Sequence, residues 1–342
     1  MWHKKFCSVW IVVILLVSIA VPLLSIIVDP FNIFHWDCAR NNGIEPNERY
    51  VRTKYILNNP LKYDSYVFGS SRVGTIHVEK ILDATVYNMS YSIGLPSEQL
   101  QTLKTILNGG CKIKRIYIGV DDILLYVSEK SHLNLMQFPY EYLDEHKRNF
   151  LCSYVFNPKL LYSSLSYYQK ENGRNREIIR QMYKTGWWAD YDFKSKFQWA
   201  NVEYVIRKFE KKDSYKINLA LNSILKLSEL CKRNNIELII FTNPTYRTTY
   251  ISGLNKGYIE FLRELVKITD FYNFSGLNDV TINKENYLDT SHYNAYVGDM
   301  IIDVIHNNKR FDKLYEQGFG WYVTKDNIEK LLNLIDVKEG DC

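Results

Sequence analysis

The chain has 342 residues and 46% hydrophobic content, enough for one large domain or two small ones with a true core. Its formal net charge is +5, with lysines and arginines scattered rather than striped, which argues against a nucleic-acid binder built on a basic face. The six cysteines show no CxxC and no paired metal-ligand spacing, so neither a disulfide framework nor a structural zinc site follows from them.

Residues 1–30 read MWHKKFCSVWIVVILLVSIAVPLLSIIVDP, with no charge between Phe6 and Val28. That run of about 23 residues makes a helix of roughly 34 Å, long enough to cross a bilayer core. Lys4 and Lys5 precede it, so residues 1–5 are expected in the cytoplasm, 6–28 in the membrane and everything after Asp29 outside. A cleaved signal peptide is the competing reading. It needs an apolar region of only about 7–15 residues and a small-x-small site, whereas this run is longer and Ser25-Ile26-Ile27 is a poor cleavage site. Pro22 is tolerable in a membrane helix.

Residues 29–62 read as a connecting arm, punctuated by Asp29-Pro30, Asn41-Asn42-Gly43 and Pro46. From 63 onward strands and helices alternate. Strands are expected at 65–68, 85–87, 115–118 and 237–241, with a weaker last one at 271–274. Helices are expected at 78–82, 97–107, 215–234, 259–268 and 295–305. The helix at 97–107 carries Leu100, Leu103, Ile106 and Leu107 on one side and stops at Gly109-Gly110. Residues 123–213 break this rhythm and read as an insertion at one end of the sheet. They hold a Gly186-Trp187-Trp188 spot that is either a sugar platform or packing. The 27 tyrosines pose the same choice, since so many must reach the surface. Residues 311–342 read as a tail with one helix, opened by Asp326 and Glu329 in capping-box spacing.

Alternating strands and helices predict a parallel sheet covered on both faces, whose ligand site lies beyond the carboxyl ends of the strands. Three polar clusters fall at such ends: Gly69-Ser70-Ser71, Gly119 to Asp122, and Thr242-Asn243-Pro244. A serine hydroxyl becomes a useful nucleophile only with a base in hydrogen-bond reach and an acceptor that orients the base. The segment LDTSHYN at 288–294 supplies His292 with Asp289 three residues earlier, so one loop can deliver both. On its own Asp-x-x-His is as easily a helix cap. The other six histidines, His3, His35, His77, His132, His146 and His306, lack such a pattern.

Four blocks in order (GSS after the first strand, YNMSYSIG after the second, IGVDD after the third and DTSH near the end) resemble those of the SGNH/GDSL hydrolase superfamily, over residues 63–310 apart from the insertion. The resemblance implies a flavodoxin-like three-layer α/β/α sandwich with a central parallel sheet. It implies Ser71 as nucleophile and His292 and Asp289 as its catalytic partners, with Gly94 and Asn88 in the oxyanion and substrate region. No metal or cofactor is implied. The chain looks most like membrane-anchored members similar to the D-alanine transfer and alginate O-acetylation proteins, which work beside a polytopic membrane-bound O-acyltransferase. In this chain Ser70 replaces the first-block Asp of the family. Asp121 stands where the family has an oxyanion-donating Asn. An ionised Asp accepts hydrogen bonds and repels an oxyanion, so Asp121 either carries a proton or has another role, such as binding Arg72 or a substrate hydroxyl. Arg72 either forms that pair or holds an anionic substrate group.

These features predict an anchored, outward-facing serine esterase or O-acyltransferase acting on acyl esters of cell-envelope or secreted glycans. The alternative is a non-catalytic glycan-binding or scaffold partner of a membrane-bound O-acyltransferase.

Overall fold

The computed structural model describes residues 2–35, 46–128, 138–141, 144–170, 186 and 214–336. They fall into two compact units, residues 1–55 with 132–184 and residues 56–131 with 185–342.

The first unit begins with α1 (Trp2–Val28), which contains Pro22. Its stretch Lys5–Val28 has mean hydropathy 3.2 and is long and apolar enough to cross a membrane. Side chains from Phe6 to Ile27 are largely exposed, as lipid-facing groups would be. The chain leaves the helix through a turn in which Asp29 (φ 43°) and Asn32 (φ 55°) take left-handed conformations, which Asp and Asn tolerate better than most residues. The Asp29 carboxylate accepts from the backbone N–H of Ile33, Phe34 and His35 at 2.6–2.9 Å and from the Tyr154 hydroxyl at 2.8 Å. Tyr154 lies on α4 (Asp144–Val155), which with α5 (Pro158–Lys170) packs on α1. Phe31, Ile33, Tyr50, Phe150 and Tyr154 form the core of this unit. Part of the stretch read as an insertion at the sheet is therefore a helical pair joined to the N-terminal helix. The stretch read as a connecting arm contains α2 (Glu48–Asn58), whose Tyr50 enters the same core.

The second unit is built on a six-stranded sheet of order β2-β1-β3-β4-β5-β6. The strands are β1 (Ser65–Phe68), β2 (Val86–Asn88), β3 (Arg115–Val120), β4 (Glu237–Thr242), β5 (Phe271–Asn273) and β6 (Trp321–Val323). The first five run parallel, and β6 pairs antiparallel with β5. β1 and β3 are buried at every position, so they read as continuous apolar runs rather than alternating ones. Side chains still alternate between faces. Val67, Tyr117 and Phe241 share one core cluster with Val297, Met300, Ile301 and Val304 of α9 (Ala295–Asn307). Their neighbours Tyr66, Ile116 and Ile240 therefore project to the opposite face. There α3 (Pro96–Asn108), α6 (Ser214–Arg233) and α8 (Tyr258–Ile268) pack side by side. A further short helix, α7 (Arg247–Leu254), follows β4.

The largest departure from expectation lies beyond residue 310. The tail holds α10 (Asp312–Glu316), the sixth strand and α11 (Ile328–Ile335). Three residues are too few to show an alternating pattern, so only pairing with β5 makes β6 a strand. The capping box does not form: Asn327 is the N-cap, and Glu329 instead pairs with Arg263 of α8 at 2.8 Å.

Candidate active site

Parallel order reverses direction between β1 and β3, and such switch points open a crevice beyond the carboxyl ends of the strands. Gly69 and Gly119 sit at those two ends. A Cβ on Gly69 would lie 2.8 Å from the Val73 side chain, and one on Gly119 only 2.3 Å from it. Without side chains there, a 3₁₀ turn over Ser71–Thr75 folds tightly back onto the strand ends. Ser70 caps that turn: its hydroxyl accepts from the Arg72 N–H at 3.4 Å and donates to Asp121 Oδ2 at 2.7 Å. Ser70 is 1% exposed, whereas Ser71 is half-buried, so the turn presents Ser71 to solvent and consumes Ser70 internally.

The segment carrying His292 is a short hairpin-like loop. Tyr287 and Tyr293 form an antiparallel bridge, and Leu288 N–H donates to the His292 carbonyl at 2.8 Å. Thr249 of α7 donates to the Thr290 carbonyl at 2.6 Å, and Asn294 caps α9 directly after the loop. Inside the loop, Asp289 Oδ1 accepts the N–H groups of Ser291 at 2.6 Å and His292 at 2.8 Å. Its other oxygen lies 2.8 Å from His292 Nδ1. His292 Nε2 lies 2.8 Å from Ser71 Oγ. An ionised carboxylate can only accept, so Nδ1 carries the proton and Nε2 accepts from the serine hydroxyl; this tautomer is assigned from the network. Burial alone would raise the Asp289 pKa. The bonds from His292 and from the Ser291 and His292 N–H groups outweigh it and hold the carboxyl below its ordinary value. Chemically this is a hydroxyl, a base and an orienting anion in series, the arrangement that lets serine attack an acyl carbon at neutral pH.

Behind the triad lies a buried ionic network. Arg72, 1% exposed, puts Nη1 2.9 Å from Asp121 Oδ1 and 2.7 Å from Asp122 Oδ1, and Nη2 donates to Ser291 Oγ at 3.0 Å. Asp121 also accepts from Ile123 N–H at 3.0 Å and from Asn243 Nδ2 at 3.1 Å. Its two oxygens thus serve Ser70, Arg72, Ile123 and Asn243. Burial pushes the Asp122 carboxyl up, and Arg72 opposes that push. Burial also lowers Arg72, but Asp121 and Asp122 more than compensate and keep the guanidinium charged. The Lys256 ammonium, 3.7 Å from the centre of the Tyr126 ring, adds a second positive charge acting on Asp122.

Ser71, His292 and Asp289 are therefore brought together. The four other residues expected in the oxyanion or substrate region turn inward. Arg72 and Asp121 pair with each other, which answers the question raised by an Asp in place of Asn. Asn88 is fully buried, donating to the Val73 carbonyl at 2.7 Å and accepting from Ser90 N–H at 3.0 Å, so it braces the turn that carries Ser71. Gly94 packs against the segment leading to Ser71, where a Cβ would sit 2.3 Å from the Gly69 carbonyl oxygen, but its N–H donates to the Tyr91 carbonyl at 3.2 Å. The residue before it, Ile93, has φ 59°, a strained value for a β-branched side chain. Gly186 backs onto Asn88, with room for no Cβ (2.0 Å to the carbonyl oxygen), while Trp187 and Trp188 lie outside the described residues. His77 bonds Asp299 at 2.7 Å and His306 bonds the Tyr117 hydroxyl at 2.8 Å, both apart from the triad.

Sequence reasoning passed over Asp122, Asn243 and Ser291 as site members. Each had a signal, since all three lie inside polar blocks already singled out, but nothing in those blocks said which side chains would face each other. Lys256 had none. Fold and site together define an α/β protein with a Ser–His–Asp relay at the switch point of a mostly parallel sheet. The chain matches no known protein-family profile and no curated protein.

Proposed function

We propose that this chain is a membrane-anchored, extracytoplasmic serine esterase or O-acyltransferase of the SGNH type, acting on acyl esters of cell-envelope or secreted glycans. The observation that carries the reading is the continuous relay from Ser71 Oγ through His292 to Asp289, with both links at 2.8 Å. Three further features support it. The strand order 2-1-3-4-5 is the flavodoxin-like one. The four blocks that resemble the superfamily meet at one sheet edge. An apolar helix long enough to span a bilayer follows Lys4 and Lys5, the charge placement of an anchor whose N-terminus stays inside.

In this reading Ser71 Oγ attacks the ester carbonyl carbon while its proton passes to His292 Nε2. Asp289 holds the Nδ1–H and stabilises the imidazolium. The tetrahedral oxyanion is received by the backbone N–H of Ser71, at the start of the 3₁₀ turn. Collapse expels the alcohol, which takes the proton from Nε2, and leaves an acyl ester on Ser71. A water completes hydrolysis, or a glycan hydroxyl completes transfer, through the same proton route in reverse. Exclusion of water selects transfer, and a polytopic membrane-bound O-acyltransferase is the partner that would supply or receive the acyl group.

A fluorophosphonate probe tests this directly. It should label Ser71 in the detergent-solubilised full-length protein, and S71A should lose both labelling and p-nitrophenyl acetate hydrolysis. Equal labelling of wild type and S71A sinks the assignment.

A second reading, a non-catalytic scaffold for such an acyltransferase, is favoured by the Gly94 N–H being engaged with Tyr91 and by an Asp at position 121. It predicts no labelling of the wild type together with stable co-purification of the acyltransferase.

A further inference from the structure

Two consecutive residues of the nucleophile turn reach the same loop. Ser71 Oγ contacts His292 at 2.8 Å, and Arg72 Nη2 donates to Ser291 Oγ at 3.0 Å. The loop closes the circuit internally, since Ser291 N–H donates to Asp289 Oδ1 and Asp289 holds His292. Arg72 cannot follow the loop if it drifts. Its guanidinium is buried and tied to two carboxylates that belong to the end of β3, a central strand. The loop is also held by Thr249 at the Thr290 carbonyl and by the Tyr287 hydroxyl on the Pro244 carbonyl at 3.0 Å, while the Arg72–Ser291 bond ties the residue next to His292 to the turn that carries Ser71.

We propose that Arg72 and Ser291 are positioning residues: their hydrogen bond locks the Asp289–His292 loop in register with the nucleophile, so that His292 Nε2 stays within reach of Ser71 Oγ. This rests on the reading of Ser71 as a nucleophile. Arg72 is 1% exposed and committed to Asp121, Asp122 and Ser291, so it acts on the loop through Ser291. The hydroxyl of Ser291 matters as an acceptor for a guanidinium whose other contacts are independent of it. A loop released by even about 1 Å is enough to slow proton transfer by up to roughly 100-fold.

The test uses the full-length protein in detergent with Ser291 changed to Ala, Val or Thr. Two readouts are followed: the rate of fluorophosphonate labelling at Ser71, and carbethoxylation of His292 by diethyl pyrocarbonate, read by peptide mass spectrometry. S291A and S291V should label about 10- to 100-fold more slowly than wild type, with His292 modified several-fold faster. S291T keeps the hydroxyl and should recover most of the labelling rate, which a purely steric role would not produce because Val and Thr have nearly the same shape. Wild-type behaviour of S291A in both readouts overturns the proposal. Faster His292 modification in S291A, in a protein whose wild type never labels, supports the lock and instead removes the nucleophile reading.

Discussion

Replacing Arg72 by Met should destabilise the protein in a way that depends on pH. Arg72 is 1% exposed and lies 2.9 Å from Asp121 and 2.7 Å from Asp122. Met keeps most of the volume and removes the charge. Asp121 retains Ser70, Asn243 and the Ile123 N–H, but Asp122 loses its closest cation. Breaking a buried pair by deleting one partner costs about 3–5 kcal/mol. At about 2–4 °C per kcal/mol for a domain of this size, the melting temperature should fall by about 6–20 °C at neutral pH. Asp122 already has a raised pKa because of burial, and Arg72 is the main opposing influence, so the variant raises it further. The folded state then holds a proton that the unfolded state releases, and stability falls as pH rises from about 4 through the folded pKa. The deficit should therefore be largest near neutrality and shrink on acidification. Calorimetric melts of wild type and R72M at about pH 5 and about pH 7.5 measure both effects. A fall of less than about 2 °C at neutral pH, or a deficit that does not shrink at the lower pH, refutes the buried-charge argument.

Asp289→Asn should keep the loop geometry but lower the rate of Ser71 labelling by about 10³- to 10⁴-fold, because an amide cannot hold the same imidazole tautomer; labelling within tenfold of wild type would exclude Asp289 from the relay. Gly94→Ala should cost at least about 1–3 kcal/mol in denaturant unfolding, since its methyl group meets the Gly69 carbonyl at 2.3 Å and backbone cannot swing aside. An unchanged midpoint would show that the two segments are not so closely packed. Ile93→Gly should raise the melting temperature by a few degrees, because a left-handed β-branched residue costs about 1–2 kcal/mol and glycine there costs less; a lower melting temperature would mean that packing of the half-buried Ile93 side chain outweighs the strain.

Much of this protein is determined by local pattern. The apolar run at 6–28 forms a helix long and uncharged enough to cross a membrane, as its length and composition alone predict. The strands β1, β3 and β4 and the helices α3 and α6 follow from apolar runs and periodicity, with glycine stopping β1 and α3. The order of the polar blocks, combined with the rule that parallel sheets place ligands at carboxyl ends, was enough to single out the Ser70-Ser71 pair and the Asp289–His292 loop, and the family resemblance pointed to Ser71. Pairing across long sequence distance was not legible. Residue 72 meets residues 121, 122 and 291, and no periodicity records which of two aspartates a buried arginine will face. The same holds for β6, a strand only because β5 offers an open edge, and for α4 and α5, which join the N-terminal helix rather than the sheet. Whether Ser70 or Ser71 is available was likewise decided in three dimensions. Both follow the same strand, but the 3₁₀ turn points one hydroxyl at Asp121 and the other at His292. Backbone hydrogen bonding and hydrophobic period act over a few residues and are written in the chain; the pairing of buried charges depends on which strand ends the completed sheet brings together.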